Sequence, residues 1–139
     1  MKKYSAMIVD DSETDRYLLK RFLGKTDLVG DIFEVNNGKD ALDFLSNFEE
    51  NQKKYPDGFP PTLLFLDINM PLMDGFEFLS KYQELRDKVD DFSITIMMFS
   101  SSASKEDQNK AFSFPFVKDY LVKGAFKVED LKAKIIQYV

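Results

Sequence analysis

The 139-residue chain contains no cysteine and no histidine. The first absence removes disulfides, thiol nucleophiles and thiolate metal sites together. The second excludes a Ser-His-Asp triad, a His-ligated zinc and any phosphohistidine carried by the chain itself. Basic runs are lacking as well. There are 24 acidic residues against 19 basic ones, a net charge of -5, so direct nucleic-acid binding is not expected. Nothing approaches the roughly 20 apolar residues of a membrane helix, and Ala6–Val9 is too short for a signal-peptide core. The expectation is a soluble, acidic, cytoplasmic protein: a single domain over residues 1–139 with no output domain.

What the chain does have is regular alternation. Apolar runs at Tyr4–Val9, Ile32–Val35, Leu63–Leu66, Ile94–Phe99 and Val117–Val122 read as strands. Leu63-Leu64-Phe65-Leu66 does not alternate with polar residues, which predicts a strand covered on both faces, as in parallel sheets flanked by helices. Between the runs lie helical stripes: Leu18, Leu19, Phe22 and Leu23; Leu42, Leu45 and Phe48; Phe78, Leu79, Tyr82 and Leu85; Val128, Leu131, Ile135 and Val139. Ser12, Asn37-Gly38, Asp74-Gly75 and Ser104 supply helix starts, and Pro115 closes the fourth helix. The pattern is β-α five times over, an α/β doubly wound parallel sheet. Asn51 to Pro61 reads as a polar, Pro/Gly-rich connection, long for its place.

In such a sheet ligands bind beyond the carboxyl ends of the strands. The first strand ends in Asp10-Asp11, the third in Asp67, the fourth in Ser100-Ser101-Ser102 and the fifth in Lys123. Adjacent buried acids repel each other, and a hard divalent cation such as Mg²⁺, with phosphate oxygens completing its shell, offsets that repulsion. Each residue also has an ordinary reading. Asp10-Asp11-Ser12 can be a helix cap, Lys123 a solvated lysine and Ser100 a plain strand-end serine. Their arrival at one rim from four strands is what points to phosphoryl chemistry, with Lys123 as a point charge and Ser100 as a donor to phosphoryl oxygens.

The segments Met7 to Ser12, Asn37-Gly38 with Ala41-Leu42, Leu66 to Gly75, Phe99 to Ser101 and Tyr120 to Lys123 resemble the receiver (response-regulator, CheY-like) domain of two-component signalling over nearly the whole chain. The D-x-x-M-P-x-M-D-G run, Asp67 to Gly75, is the most specific part. The resemblance implies a flavodoxin-like (βα)5 fold with strand order 2-1-3-4-5. It implies that Asp67 takes a phosphoryl group from phosphohistidine on a partner histidine kinase or phosphotransfer protein. Asp10, Asp11 and Asp67, with the backbone carbonyl of Asn69, would hold Mg²⁺. Ser100 matches the switch hydroxyl, Lys123 the phosphate-pairing lysine and Tyr120 the aromatic switch that turns inward. No multiple-turnover enzyme is implied, only self-phosphorylation and autodephosphorylation.

Three departures from the family stand out. Gly124 follows Lys123 where the family usually has proline. Ser113-Phe114-Pro115-Phe116 replaces the usual Gly-Ala pair, which leaves Ser101 as a second choice for the switch hydroxyl. The Asn51–Pro61 connection is similar to that of stand-alone receivers, some of which serve phytochrome-type kinases. Phe112, Phe114, Phe116, Tyr120 and Phe126 crowd the last third, where an exposed pair would make a docking or homodimer patch. Output would then pass in trans to a downstream protein, the chain being a monomer or a phosphorylation-dependent homodimer, with no membrane partner. The rivals are a phosphohydrolase, against which Asn69 replaces the usual second acid; a degenerate receiver acting as a binding module; and a nucleotide or flavin domain, for which no Gly-rich loop is present.

Overall fold

The computed structural model describes residues 3–88 and 93–139. Five strands, β1 (Tyr4–Val9), β2 (Val29–Val35), β3 (Leu63–Leu66), β4 (Thr95–Ser100) and β5 (Val117–Val122), form one parallel sheet in the order β2-β1-β3-β4-β5. The helices are α1 (Glu13–Thr26), α2 (Gly38–Ser46), α3 (Phe48–Lys54), α4 (Gly75–Lys88), α5 (Lys105–Phe112) and α6 (Val128–Tyr138). This is the flavodoxin-like order the resemblance implied.

The unbroken apolar run of β3 is explained by burial on both sides. Leu64 and Leu66 join Met7, Val9 and Met98 under α2, α4 and α5, whereas Leu63 and Phe65 join Ile8 and Met97 under α1 and α6. All four of these β3 side chains are fully buried, each contributing roughly 2 kcal/mol of transfer free energy. Helix starts are set by side chains at the expected positions. Ser12 Oγ accepts from the Asp15 N–H at 3.2 Å, Asn37 Oδ1 from Asp40 at 2.8 Å, Asp74 Oδ1 from Glu77 at 2.9 Å and Ser104 Oγ from Asp107 at 3.2 Å. Each satisfies a backbone donor that the first helical turn leaves unpaired.

The β-α-five-times reading undercounts by one helix. The second connection contains α3, so the segment expected as an open polar loop from Asn51 begins inside a helix. Asn47 closes α2 and opens α3, and the Asn51 side chain donates to the Phe44 carbonyl at 2.6 Å, bracing one helix on the other. Beyond it, Tyr55 lies edge-on to Phe33 with centroids 4.9 Å apart, and Phe59 meets Phe44 and Phe48, each at 5.3 Å. Tyr55 and Phe59 thus anchor a connection whose composition is otherwise polar. Replacing Phe59, only 3% exposed, with Ala should lower stability by about 3 kcal/mol in urea denaturation. A loss under about 1 kcal/mol would mean that the connection does not depend on this ring.

Two stripe residues miss the core. Leu18 is 46% exposed and Val139 41% exposed, because Leu19 and Leu23 of α1, and Leu131 and Ile135 of α6, take the sheet-facing positions. The strand limits move a little too: β2 begins at Val29 rather than Ile32, and β4 runs one residue later than expected.

Candidate functional site

The carboxyl ends of β1, β3, β4 and β5 meet at one rim. Asp10 follows β1 and is fully buried; Asp67 follows β3 and is 5% exposed; Asp11 is open to solvent. The strand ladder fixes the first two, since the Asp67 N–H donates to the Val9 carbonyl at 2.9 Å and the Asp10 N–H to the Val35 carbonyl at 3.2 Å. One carboxylate oxygen from each of Asp10, Asp11 and Asp67 lies within 4.8 Å of the others, a spacing that one cation can span.

The two buried acids are held differently. Asp10 Oδ1 accepts from the Ser12 N–H at 2.9 Å, and the Asp10 carbonyl accepts from Arg16 Nη1 at 2.7 Å. Asp10 Oδ2 forms an ion pair with Lys123 Nζ at 2.9 Å and, among the described residues, has no further donor. A buried carboxylate with an oxygen within 4.8 Å of oxygens from two other acids is a position that a hard cation suits. Asp67 Oδ1 accepts from the Ile68 N–H at 2.8 Å, and Oδ2 from Lys123 Nζ at 3.2 Å. Burial, and next the negative charge of Asp10, push the Asp67 carboxyl up to about 6 against the opposing pull of Lys123 and the Ile68 N–H.

Lys123 reaches the rim from the end of β5. Its backbone N–H donates to the Ser100 carbonyl at 2.8 Å, and Nζ stands 5.2 Å from the centre of the Phe99 ring. Burial alone would lower its basicity, but the side chains of Asp10 and Asp15 and the charge of Asp67 outweigh it, so Lys123 is held above the usual lysine range. Gly124 turns the chain with φ of 78°, and the Ala125 N–H closes the turn on the Val122 carbonyl at 3.0 Å.

Ser100 is buried at the end of β4, and its hydroxyl accepts from the Ser102 N–H at 3.2 Å; Ser101 is exposed. Tyr120 is half-buried and donates its hydroxyl to the Ser102 carbonyl at 2.8 Å. Ser102 in turn donates its own hydroxyl to Asp107 at the start of α5, at 2.6 Å. Asn69 lies exposed beyond Asp67. The loop there is tight: the Gly75 N–H donates to the Ile68 carbonyl at 2.7 Å, and a Cβ at Gly75 would overlap the Asp67 carbonyl oxygen. That contact is the reason for glycine after Asp74. Of the five late aromatics, Phe116 is buried, Phe126 packs on Phe22 with centroids 5.7 Å apart, and Phe112 is 46% exposed.

Two residues of the rim were not singled out from the sequence. Asp15, an acid in the first turn of α1, places Oδ2 2.8 Å from Lys123 Nζ. It lies one helical turn beyond Asp11, which is the signal that could have found it. Ser102 read only as part of a serine run, yet it links Ser100, Tyr120 and α5.

Comparison with known proteins agrees with this architecture. The chain is 29% identical over 132 residues to the probable methanogenesis regulatory protein FilR2 of Methanothrix harundinacea, covering 93% of this chain and 77% of that one. Some other relatives are much longer, and the chain spans as little as 8% of their length. A two component response regulator from Cytophaga hutchinsonii shares the fold with a TM-score of 0.78 at 24% identity, covering 98% and 99% of the two chains. The Mn²⁺-bound form of response regulator Rcp1 matches with a TM-score of 0.68 at 25% identity, over 95% and 88%. The response regulator receiver domain family matches residues 6–136, and the chain belongs to it: a receiver domain of two-component systems.

Proposed function

We propose that this receiver takes a phosphoryl group onto Asp67 from phosphohistidine on a sensor histidine kinase or phosphotransfer protein, with Mg²⁺ held by Asp10, Asp11, Asp67 and the Asn69 carbonyl. The observation that carries the reading is the three-acid cluster, within 4.8 Å, with a lysine on two of its members. The burial of Asp10 beside two other acids and the Mn²⁺-bound relative Rcp1 support a cation there. When bound, Mg²⁺ would neutralise the acids and polarise phosphoryl oxygens.

The chain's own groups do the rest. Asp67 must be ionised to act, and its carboxylate oxygen forms the new O–P bond as the donor's N–P bond breaks and the imidazole leaves. Lys123 supplies its ammonium to a phosphoryl oxygen, balancing charge that grows on transfer. The Ser100 hydroxyl donates to another, and in turning to do so it withdraws the acceptor that now holds the Ser102 N–H. Tyr120 is tied to the same residue through the Ser102 carbonyl, so the β4–α5 loop and Tyr120 respond together. The face of α5, β5 and α6, where Phe112 is exposed, then changes for a downstream protein that binds it. The chemistry is a single phosphorylation and its hydrolysis, not turnover of a substrate. The site of action is cytoplasmic, where such partners present their phosphohistidine; among the described residues no helix is long and apolar enough to cross a membrane.

The test is incubation with Mg²⁺ and acetyl phosphate followed by intact mass measurement. Wild type should gain one labile phosphoryl group and Asp67→Asn none. An adduct that persists in Asp67→Asn would remove Asp67 as acceptor, and none on wild type would favour a phosphorylation-independent binding module.

A further inference from the structure

Nothing above gives Asp15 a task, yet it makes the shortest contact to the lysine that the buried acids share. Lys123 Nζ lies 2.8 Å from Asp15 Oδ2, 2.9 Å from Asp10 Oδ2 and 3.2 Å from Asp67 Oδ2. All three are ion pairs, and those to Asp15 and Asp67 meet hydrogen-bond geometry. Gly124 adopts φ of 78° with nothing within 4 Å of where a Cβ would stand, so the turn after Lys123 is open on that side. What fixes Nζ is the Phe99 ring on one side and carboxylates on the other.

A cation entering the acidic cluster meets a competitor already there. Lys123 and a divalent ion both want the oxygens of Asp10 and Asp67, and as like charges they repel at such range. An ammonium has three N–H donors but one position. Asp15 stands at the start of α1, on the edge of the rim, and offers that ammonium a partner outside the metal-binding set. We propose that Asp15 is a positioning residue: it draws the Lys123 ammonium off Asp10 and Asp67 so that their oxygens are open to a divalent cation, while keeping Nζ at the rim. The proposal rests on the reading of Asp10, Asp11 and Asp67 as a Mg²⁺ site.

Removing the Asp15 charge lowers Mg²⁺ affinity by two routes. The site loses one nearby negative charge, and Lys123 turns its full charge onto Asp10 and Asp67. Only the second route needs Lys123, which makes a double-mutant cycle decisive. Mg²⁺ binding is followed by amide chemical shifts of the full chain for wild type, Asp15→Asn, Lys123→Met and the double variant. Asn leaves the α1 cap intact, because Ser12 holds the backbone N–H of Asp15 and not its side chain. Dispersed spectra check folding, and Asp15→Ser replaces Asp15→Asn should the latter fail that check.

The expected result is that Asp15→Asn weakens Mg²⁺ about tenfold when Lys123 is present and no more than about twofold when it is Met, a coupling of about fivefold, within the range seen for contacting charges. Lys123→Met alone should tighten Mg²⁺. Equal losses in both backgrounds would reduce Asp15 to a distant field and overturn the proposal, as would no loss at all. Wild type that binds Mg²⁺, with binding lost in Asp67→Asn but no coupling in the cycle, overturns this inference alone. Failure of wild type to bind Mg²⁺ overturns it together with the metal reading beneath it.

Discussion

Lys123→Met is expected to lower the stability of the metal-free protein by about 3 kcal/mol at pH 7, the cost of stripping the partner from a buried charge cluster. The substitution keeps an apolar stem over Phe99 and removes only the ammonium. Left behind are Asp10, fully buried, and Asp67, nearly so, with Asp15 at the rim. The native protein can relieve this only by taking up a proton. The penalty should therefore shrink at pH 5, where Asp67, raised by burial and the charge of Asp10, takes up a proton, and shrink again at pH 7 when Mg²⁺ is added, through binding to the folded form alone. Urea denaturation in chelator at pH 5 and 7, then in Mg²⁺, reads all three. An equal loss at both pH values would mean that the lysine contributes packing and not charge compensation.

The Asp67→Asn variant is expected to be more stable than wild type in metal-free solution at pH 7, by on the order of 1–2 kcal/mol. The folded-state carboxyl is raised from 3.8 to about 6, with burial as the larger cause and the charge of Asp10 as the next. A raised carboxyl favours the folded state while it is protonated. That contribution is fully present below pH 4 and is lost as pH rises through 6, a swing of about 3 kcal/mol at 1.36 kcal/mol per unit. Asparagine escapes the swing but forfeits the attraction of Lys123, hence the smaller net gain. The difference between wild type and variant isolates this group from carboxylates elsewhere, whose pairing acts in the opposite sense: the Lys20 and Arg16 bonds to Glu34 hold its carboxyl below the usual range although burial, the largest single influence, opposes them. A difference that stays constant from pH 4 to 7 would mean that Asp67 is not raised. Saturating Mg²⁺ should invert the order, stabilising wild type and leaving the variant almost untouched.

How far the sequence carries this picture depends on what each residue reports. Leu63 to Leu66 could only be a strand covered on both faces, and its neighbours in both cores bear that out. The cap residues Ser12, Asn37, Asp74 and Ser104 were legible because capping is a local interaction over three residues. Asp10, Asp67 and Lys123 were legible because strand ends are. Helix α3 was not. Phe48 continued the apolar spacing of α2, and the break at Asn47 lies in its dihedrals, φ of -82° and ψ of 53°, not in a turn residue that announces itself. Leu18 shows the same limit, for periodicity finds a helix face but not how much of it the neighbouring layer reaches. Asp15 was hidden by having two roles at once. Its backbone is a first-turn donor to Ser12, a sufficient account of an acid there until the structure brings Lys123 to its side chain from 108 residues away.

The turn at Gly124 has a bearing on protein engineering. Its φ of 78° lies outside what a pyrrolidine ring permits, which is about -65°. Placing there the proline that the family resemblance leads one to expect, an ordinary step in alignment-guided stabilisation, would force the turn to be rebuilt. Here the shortest contact to the lysine comes from α1, through Asp15 at 2.8 Å. On the proposal that Asp15 positions the lysine, the turn at Gly124 and the acid at position 15 are to be grafted together or not at all.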